Sequence, residues 1–152
     1  MSRFARLAAT TACVATLIAT ASAAASAGTA AITFANCTFT AATSGGPPPT
    51  AMTAFAAGSS ASCGPGITGT LDADIGFSFV GTAALARPFN FTLSGFEQVC
   101  HYSVSSAELI LDSAGPPTWT YSGPVTALLD RDTSGGSCPV FIQQTMTVAL
   151  TP

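Results

Sequence analysis

Hydrophobic and polar residues alternate with a period of two through most of residues 32–150, and no window carries the 3.6-residue period of an amphipathic helix. "ITFANCTFT" (Ile32–Thr40) reads as a first strand, and "AMTAFA" as a second with weaker alternation. "ITGTL" and "DIGFSFVG" follow, with Ile75, Phe77 and Phe79 on one face. In "PFNFTLSGF", Phe89, Phe91 and Leu93 oppose Asn90, Thr92 and Ser94; in "VCHYSVS", Cys100, Tyr102 and Val104 oppose His101 and Ser103. "AELILD", "TWTYSG" and "VTALLD" continue the series. The last strand, "VFIQQTMTVAL", aligns Val140, Ile142, Met146, Val148 and Leu150. Between these runs stand "TSGGPPPT", "GSSASCGPG", "SAGPP" and "DRDTSGGSC", all rich in residues that favour turns. About nine short strands separated by such turns predict an all-β fold, an antiparallel sandwich or barrel.

Residues 1–27 depart from this pattern and change where the domain begins. "MSRFAR" supplies a short basic start, "LAATTACVATLIATASAA" an apolar stretch, and Ala25–Ser26–Ala27 an A-x-A cleavage site. The expected organisation is a signal peptide over 1–27 and a single domain over 28–152, released after cleavage and therefore secreted. No later apolar run is long enough to span a bilayer as a helix. Cleavage removes Cys13 and leaves Cys37, Cys63, Cys100 and Cys138, an even set that in an exported chain predicts two disulfides. Three pairings satisfy four cysteines. Cys37–Cys63 with Cys100–Cys138 is preferred, since it keeps each bridge within one half of the chain. A zinc site is disfavoured, because there is no C-x-x-C spacing and only one histidine.

Charge narrows the partners. The chain has no lysine, and residues 28–152 keep only Arg87 and Arg131 against Asp72, Asp74, Glu97, Glu108, Asp112, Asp130 and Asp132. Phosphate neutralisation needs clustered cations, so nucleic acid is not an expected partner, and neither is an anionic lipid surface. A protein or cell-envelope partner remains, its identity open.

The segments "VCHYSV", "TWTYSG", "GGSCPVFI" and "TMTVAL", together with "ITFANCTF", resemble small exported actinobacterial β proteins of unassigned function. In that group a Cys-x-Tyr strand precedes β-hairpins and a Cys-Pro ahead of the final strand. The resemblance runs mainly over residues 89–150 and implies an extracellular disulfide-containing β fold.

Several residues carry candidate chemistry. "DRDTSG" opens like a calcium loop, with Asp130, Asp132 and Ser134 as oxygen donors, but the position of the closing glutamate falls on Phe141. A turn between strands needs the same residue types. No cofactor is otherwise implied. "SCPVF" resembles the Cys-Pro loop that actinobacterial subtilisin inhibitors offer to proteases, with Val140 and Phe141 inside it; here no cysteine follows Cys138. Asp72 and Asp74 share one strand face in principle, as paired carboxylates of a glycosidase would. His101 could join a Ser-His-Asp triad, although no G-x-S-x-G elbow accompanies it. Trp119, Tyr102 and Tyr121 could line a ligand site or pack in the core. The expected function is a non-catalytic binding or structural module of the cell exterior. A protease inhibitor and an extracellular hydrolase are the two alternatives.

Overall fold

The structure is a computed structural model that describes residues 27–44, 51–115, 118–133, 135 and 137–151; the expected signal peptide lies outside them apart from Ala27. The described residues are all-β, forming a 12-stranded antiparallel sheet that curls into a nearly closed barrel. In chain order the strands are β1 (Ala27–Phe34), β2 (Cys37–Ser44), β3 (Ala51–Phe55), β4 (Ser60–Gly64), β5 (Ile67–Leu71) and β6 (Ile75–Val80). They continue as β7 (Ala83–Ala86), β8 (Phe89–Gly95), β9 (Gln98–Val104), β10 (Ala107–Ser113), β11 (Trp119–Asp132) and β12 (Phe141–Thr151).

The strand count exceeds the expected nine because long strands break in mid-course. β3 with β4, β5 with β6, β7 with β8, and β9 with β10 run one after the other, interrupted at 56–59, 72–74, 87–88 and 105–106. One set of halves forms the ladder β3–β6–β7–β10 and the other β4–β5–β8–β9, and both ladders end on β11. Asp72–Asp74, Arg87–Pro88 and Ser105–Ser106 therefore fall on one bend line across the sheet. Pro124 lies on it too, in the part of β11 between Ser122, paired with β10, and Ala127, paired with β9. A residue without an N–H is tolerated there because neither ladder needs it. The result is an up-and-down meander of bent segments. β12 pairs with β1 and β1 with β2, while β2 runs beside β3 and β4 without a ladder. The Cys37–Cys63 disulfide crosses that seam. Cys100–Cys138 is the second bridge, so the preferred pairing is the one present.

Four expectations about individual strands change. "ITFANCTFT" is two strands, not one: Ala35 (φ 51°) and Asn36 (φ 62°) form a tight turn. The inward residues Phe34 and Cys37 are three apart, so the period of two could not have run through them. "GSSASC", expected as loop, supplies β4, and the alanine-rich "AALA" supplies β7. "TWTYSG" and "VTALLD" are one strand, β11. Val140, expected inward, lies before β12 and is 73% exposed.

Otherwise alternation sorts the side chains as read. Ile75, Phe77, Phe79, Phe89, Phe91, Cys100, Tyr102, Val104, Met146, Val148 and Leu150 are all buried. Aromatic rings fill the interior in edge and stacked contacts. Phe34 meets Phe91 edge-on at 5.4 Å, Phe91 stacks on Tyr102 at 5.4 Å, and Phe79 tilts against Tyr121 at 5.3 Å. A barrel of this size has an interior that side chains can fill, and each buried phenylalanine contributes about 1.5–3 kcal/mol by leaving water.

Candidate functional site: the loop end of the barrel

In a meander, alternate connections lie at the same end. The Ala35–Asn36, Pro65–Gly66 and Phe96–Glu97 turns therefore share one end with the long connection 133–140 between β11 and β12. This connection holds the "SCPVF" segment, and the structure anchors it at several points. Thr133 donates its N–H and its hydroxyl to the Val99 carbonyl, continuing along β9. Cys138 is bonded to Cys100 on β9. The Tyr102 hydroxyl donates to the Pro139 carbonyl at 3.1 Å. Leu129 N–H donates to the Val140 carbonyl at 2.9 Å, and Phe141 then pairs with Leu128. The backbone of Pro139–Phe141 is held, yet its side chains face water: Val140 is 73% exposed, and Phe141 and its partner Leu128 are each 57% exposed. Leu128 and Phe141 thus stand opposite one another in water, with Val140 exposed at the adjoining position of the pinned segment.

The aspartates at the start of this connection separate. A β-bulge between Leu129 and Arg131 puts Asp130 out of step with β9, and it accepts the Ser103 hydroxyl at 2.9 Å on the outer face. Asp132 lies opposite Cys100. Its charge acts on Tyr102, whose phenol is pushed above the ordinary 10.0 first by burial and then by Asp132. Ser134 lies outside the described residues. Among the described residues no group of three or more His, Cys, Asp or Glu side chains is placed to hold a metal ion.

A polar cluster on the outer face joins three elements. Thr92 on β8 lies opposite His101 on β9. Its hydroxyl donates to both carboxylate oxygens of Asp72, at 2.9 and 2.7 Å, and its oxygen stands 2.8 Å from His101 Nδ1. A hydroxyl has one hydrogen and an ionised carboxylate can only accept. The proton accounting therefore places a hydrogen on His101 Nδ1 and, in the neutral ring, leaves Nε2 as the acceptor. Asp72, Asn90, His101, Tyr102, Asp130 and Arg131 line a shallow depression of about 370 Å³ beside it. Ser103, on the same face of β9, gives its hydroxyl hydrogen to Asp130 and not to the imidazole. Asp74 turns away and accepts the Ala57 N–H at 2.7 Å, so the two aspartates of "LDAD" serve different contacts and do not work as a pair. The arrangement orients an imidazole and ties the bend at Asp72 to β8 and β9.

Of the aromatic candidates, Tyr102 and Tyr121 are core residues at 1% and 2% exposure, and Trp119 is half-buried at the start of β11. Burial also raises the Tyr121 phenol above 10.0. Sequence reasoning missed Leu128 and Phe96. Leu128 follows the inward Ala127 in an alternating run, so its outward position was legible; its exposure was not. Phe96 (φ 50°) and Glu97 (φ 65°) form a turn without the Asn-Gly signature, and the Phe96 ring is 73% exposed. No known protein family, curated protein or solved structure matches the chain. The two disulfides fit an oxidising, extracellular setting.

Proposed function

We propose that the protein is an exported, non-catalytic β module that works by presenting the Pro139–Phe141 segment to another protein of the cell envelope or the surrounding medium. The leader-like residues 1–27 and the two disulfides support export. The observation that carries the binding reading is the exposed trio Leu128, Val140 and Phe141 on backbone held by a disulfide and two hydrogen bonds. Apolar side chains fixed in place lose little freedom on association, and such residues concentrate binding energy. A photo-crosslinking amino acid in place of Leu128, in secreted protein from the producing cells, tests this. A discrete adduct that disappears when Val140→Asp and Phe141→Asp are added supports the reading; an adduct unaffected by them defeats it.

One arrangement favours a narrower form of the same reading, protease inhibition. A Cys-Pro segment that is exposed and braced from behind resists the rearrangement that follows cleavage. Titration with subtilisin-like and chymotrypsin-like proteases should then give stoichiometric inhibition that disulfide reduction abolishes. Rapid cleavage at residues 139–141 without inhibition rejects it.

A further inference from the structure

The same end of the barrel holds a hollow that the exposed patch does not use. It lies beside Cys100, among Ile67, Leu93, Phe96, Tyr102, Pro139 and Ile142, and measures about 210 Å³. Its surface is mostly carbon; Gln98 is the polar side chain at its edge, since the Ser94 hydroxyl already donates to the Thr68 carbonyl. The one buried hydroxyl nearby, that of Tyr102, is already committed to Pro139. Apolar pockets with a few polar groups at fixed places are the usual form of a small-molecule site, and the mouth of a β-barrel is one of its usual positions.

Phe96 gives an independent reason to read the hollow as a site. Its backbone is left-handed (φ 50°), which is unfavourable for any residue with a Cβ, and its ring is 73% exposed. Ala35 shares the conformation but buries its methyl group, at 7% exposure. Phe96 instead lays its ring, still largely in water, over Gly66 of the neighbouring hairpin tip. Asparagine or glycine would suit the turn better on both counts. Residues held in this sparsely populated backbone region cluster at functional sites, ligand clamps among them. The ring is also fixed in place: it lies against Gly66, 3.1 Å from where a Cβ would stand, and a Cβ at Gly95 would collide with the Gly66 carbonyl oxygen. The two hairpin tips therefore meet, with Phe96 at the lip of the hollow.

We infer that this hollow binds one aromatic ring bearing a hydrogen-bonding group, a phenol being the simplest member of the class. Size sets the limit. An apolar cavity of about 150 Å³ accepts benzene, so this one has room for a ring with one or two small substituents and not for a fused polycycle. The ring would stack near Phe96 and lie against Cys100. Gln98 would meet its polar group.

The test is calorimetric titration of the purified protein with p-cresol, read beside thermal melts. Saturable one-to-one binding with a dissociation constant of about a millimolar is expected. Ile142→Trp, which fills the hollow, and Phe96→Gly, which removes the lip but suits its backbone, should each weaken binding by about tenfold or more. Phe96→Gly should leave the melting temperature unchanged or raised. Absence of saturable binding overturns the inference, as does undiminished affinity in Phe96→Gly or a clear loss of its stability. If Ile142→Trp fails to fold, Phe96→Gly alone decides. A short tyrosine-containing peptide distinguishes sources of the ring: binding about tenfold tighter than p-cresol assigns it to a partner's side chain, and equal or weaker binding assigns it to a free small molecule.

Discussion

The seam between β2 and β4 is where the barrel depends on a covalent bond, and removing that bond has a calculable effect. Cys37 and Cys63 are 26 residues apart. In the chain-entropy description, a loop of that length raises stability by about 3.5 kcal/mol, because the crosslink restricts the unfolded chain. A single domain is typically stable by about 5–15 kcal/mol, so Cys37→Ala with Cys63→Ala should remove a large fraction of the whole. The melting temperature should fall by about 10–15 °C. Urea denaturation of wild type and double variant measures the difference directly. A second comparison isolates the local geometry. A Cβ at Gly69 would stand 2.7 Å from the Cys63 sulfur and 2.8 Å from the Cys37 sulfur. Gly69→Ala should therefore be costly in the wild type and much less so once both sulfurs are gone, a coupling of about 1–3 kcal/mol. A cost under about 1 kcal/mol on losing the bridge, or a Gly69→Ala penalty equal in both backgrounds, would show that the crosslink does not hold this seam.

Other outcomes follow from the same structure. Both tyrosines have raised phenol pKa values, so the fold favours the protonated form. That contribution is complete below the ordinary 10.0 and is lost as pH rises through the raised values. Phenolate absorbance of the native protein should rise only above pH 10, and a tyrosine titrating at its ordinary value contradicts the assignment. Phe77→Ala, at a fully buried position, should cost about 3–5 kcal/mol in urea; a loss below 1 kcal/mol would show that the interior collapses around the gap. Thr92→Val removes the link between Asp72 and His101 and should cost about 1 kcal/mol, with the His101 ring signal losing its fixed tautomer by nitrogen NMR. Thermal melts with calcium and with chelator should coincide, since Asp130 is bound to Ser103 and out of step with Asp132. A calcium-dependent rise would restore the ion site.

"ITFANCTFT" looked continuous because hydrophobic spacing alone does not separate a slip in phase from a turn, and Ala35 carries no turn signal of its own. "AALA" and "GSSASC" carry no alternation of apolar and polar residues; β7 is held by ladders to β6 and β10, and β4 by its ladder to β5 and the Cys37–Cys63 bridge. Val140 continued the alternation of the last strand on paper. The Cys100–Cys138 bridge and the Tyr102 hydroxyl draw the preceding backbone toward β9, and Val140 is left outside. Of the polar candidates, His101 and Ser103 were placed on the outer face of β9 by parity alone. Their partners were not foreseeable: Thr92 is opposite through strand register, and Asp130 arrives through a bulge.

The sequence by itself determined the all-β class, the inward faces of the long strands, the acid-rich charge balance and the four cysteines available to crosslink. Period, composition and parity are local properties, and each can be read within a few residues. Tertiary structure decided what depends on contacts between distant segments: the curl that makes β2 and β4 neighbours, and the separation of Asp72 from Asp74 at the bend. It also decided which apolar residues stay in water. Leu128, Val140, Phe141 and Phe96 have the same hydrophobicity as residues of the core. They differ in that the strands and turns carrying them leave their side chains facing water.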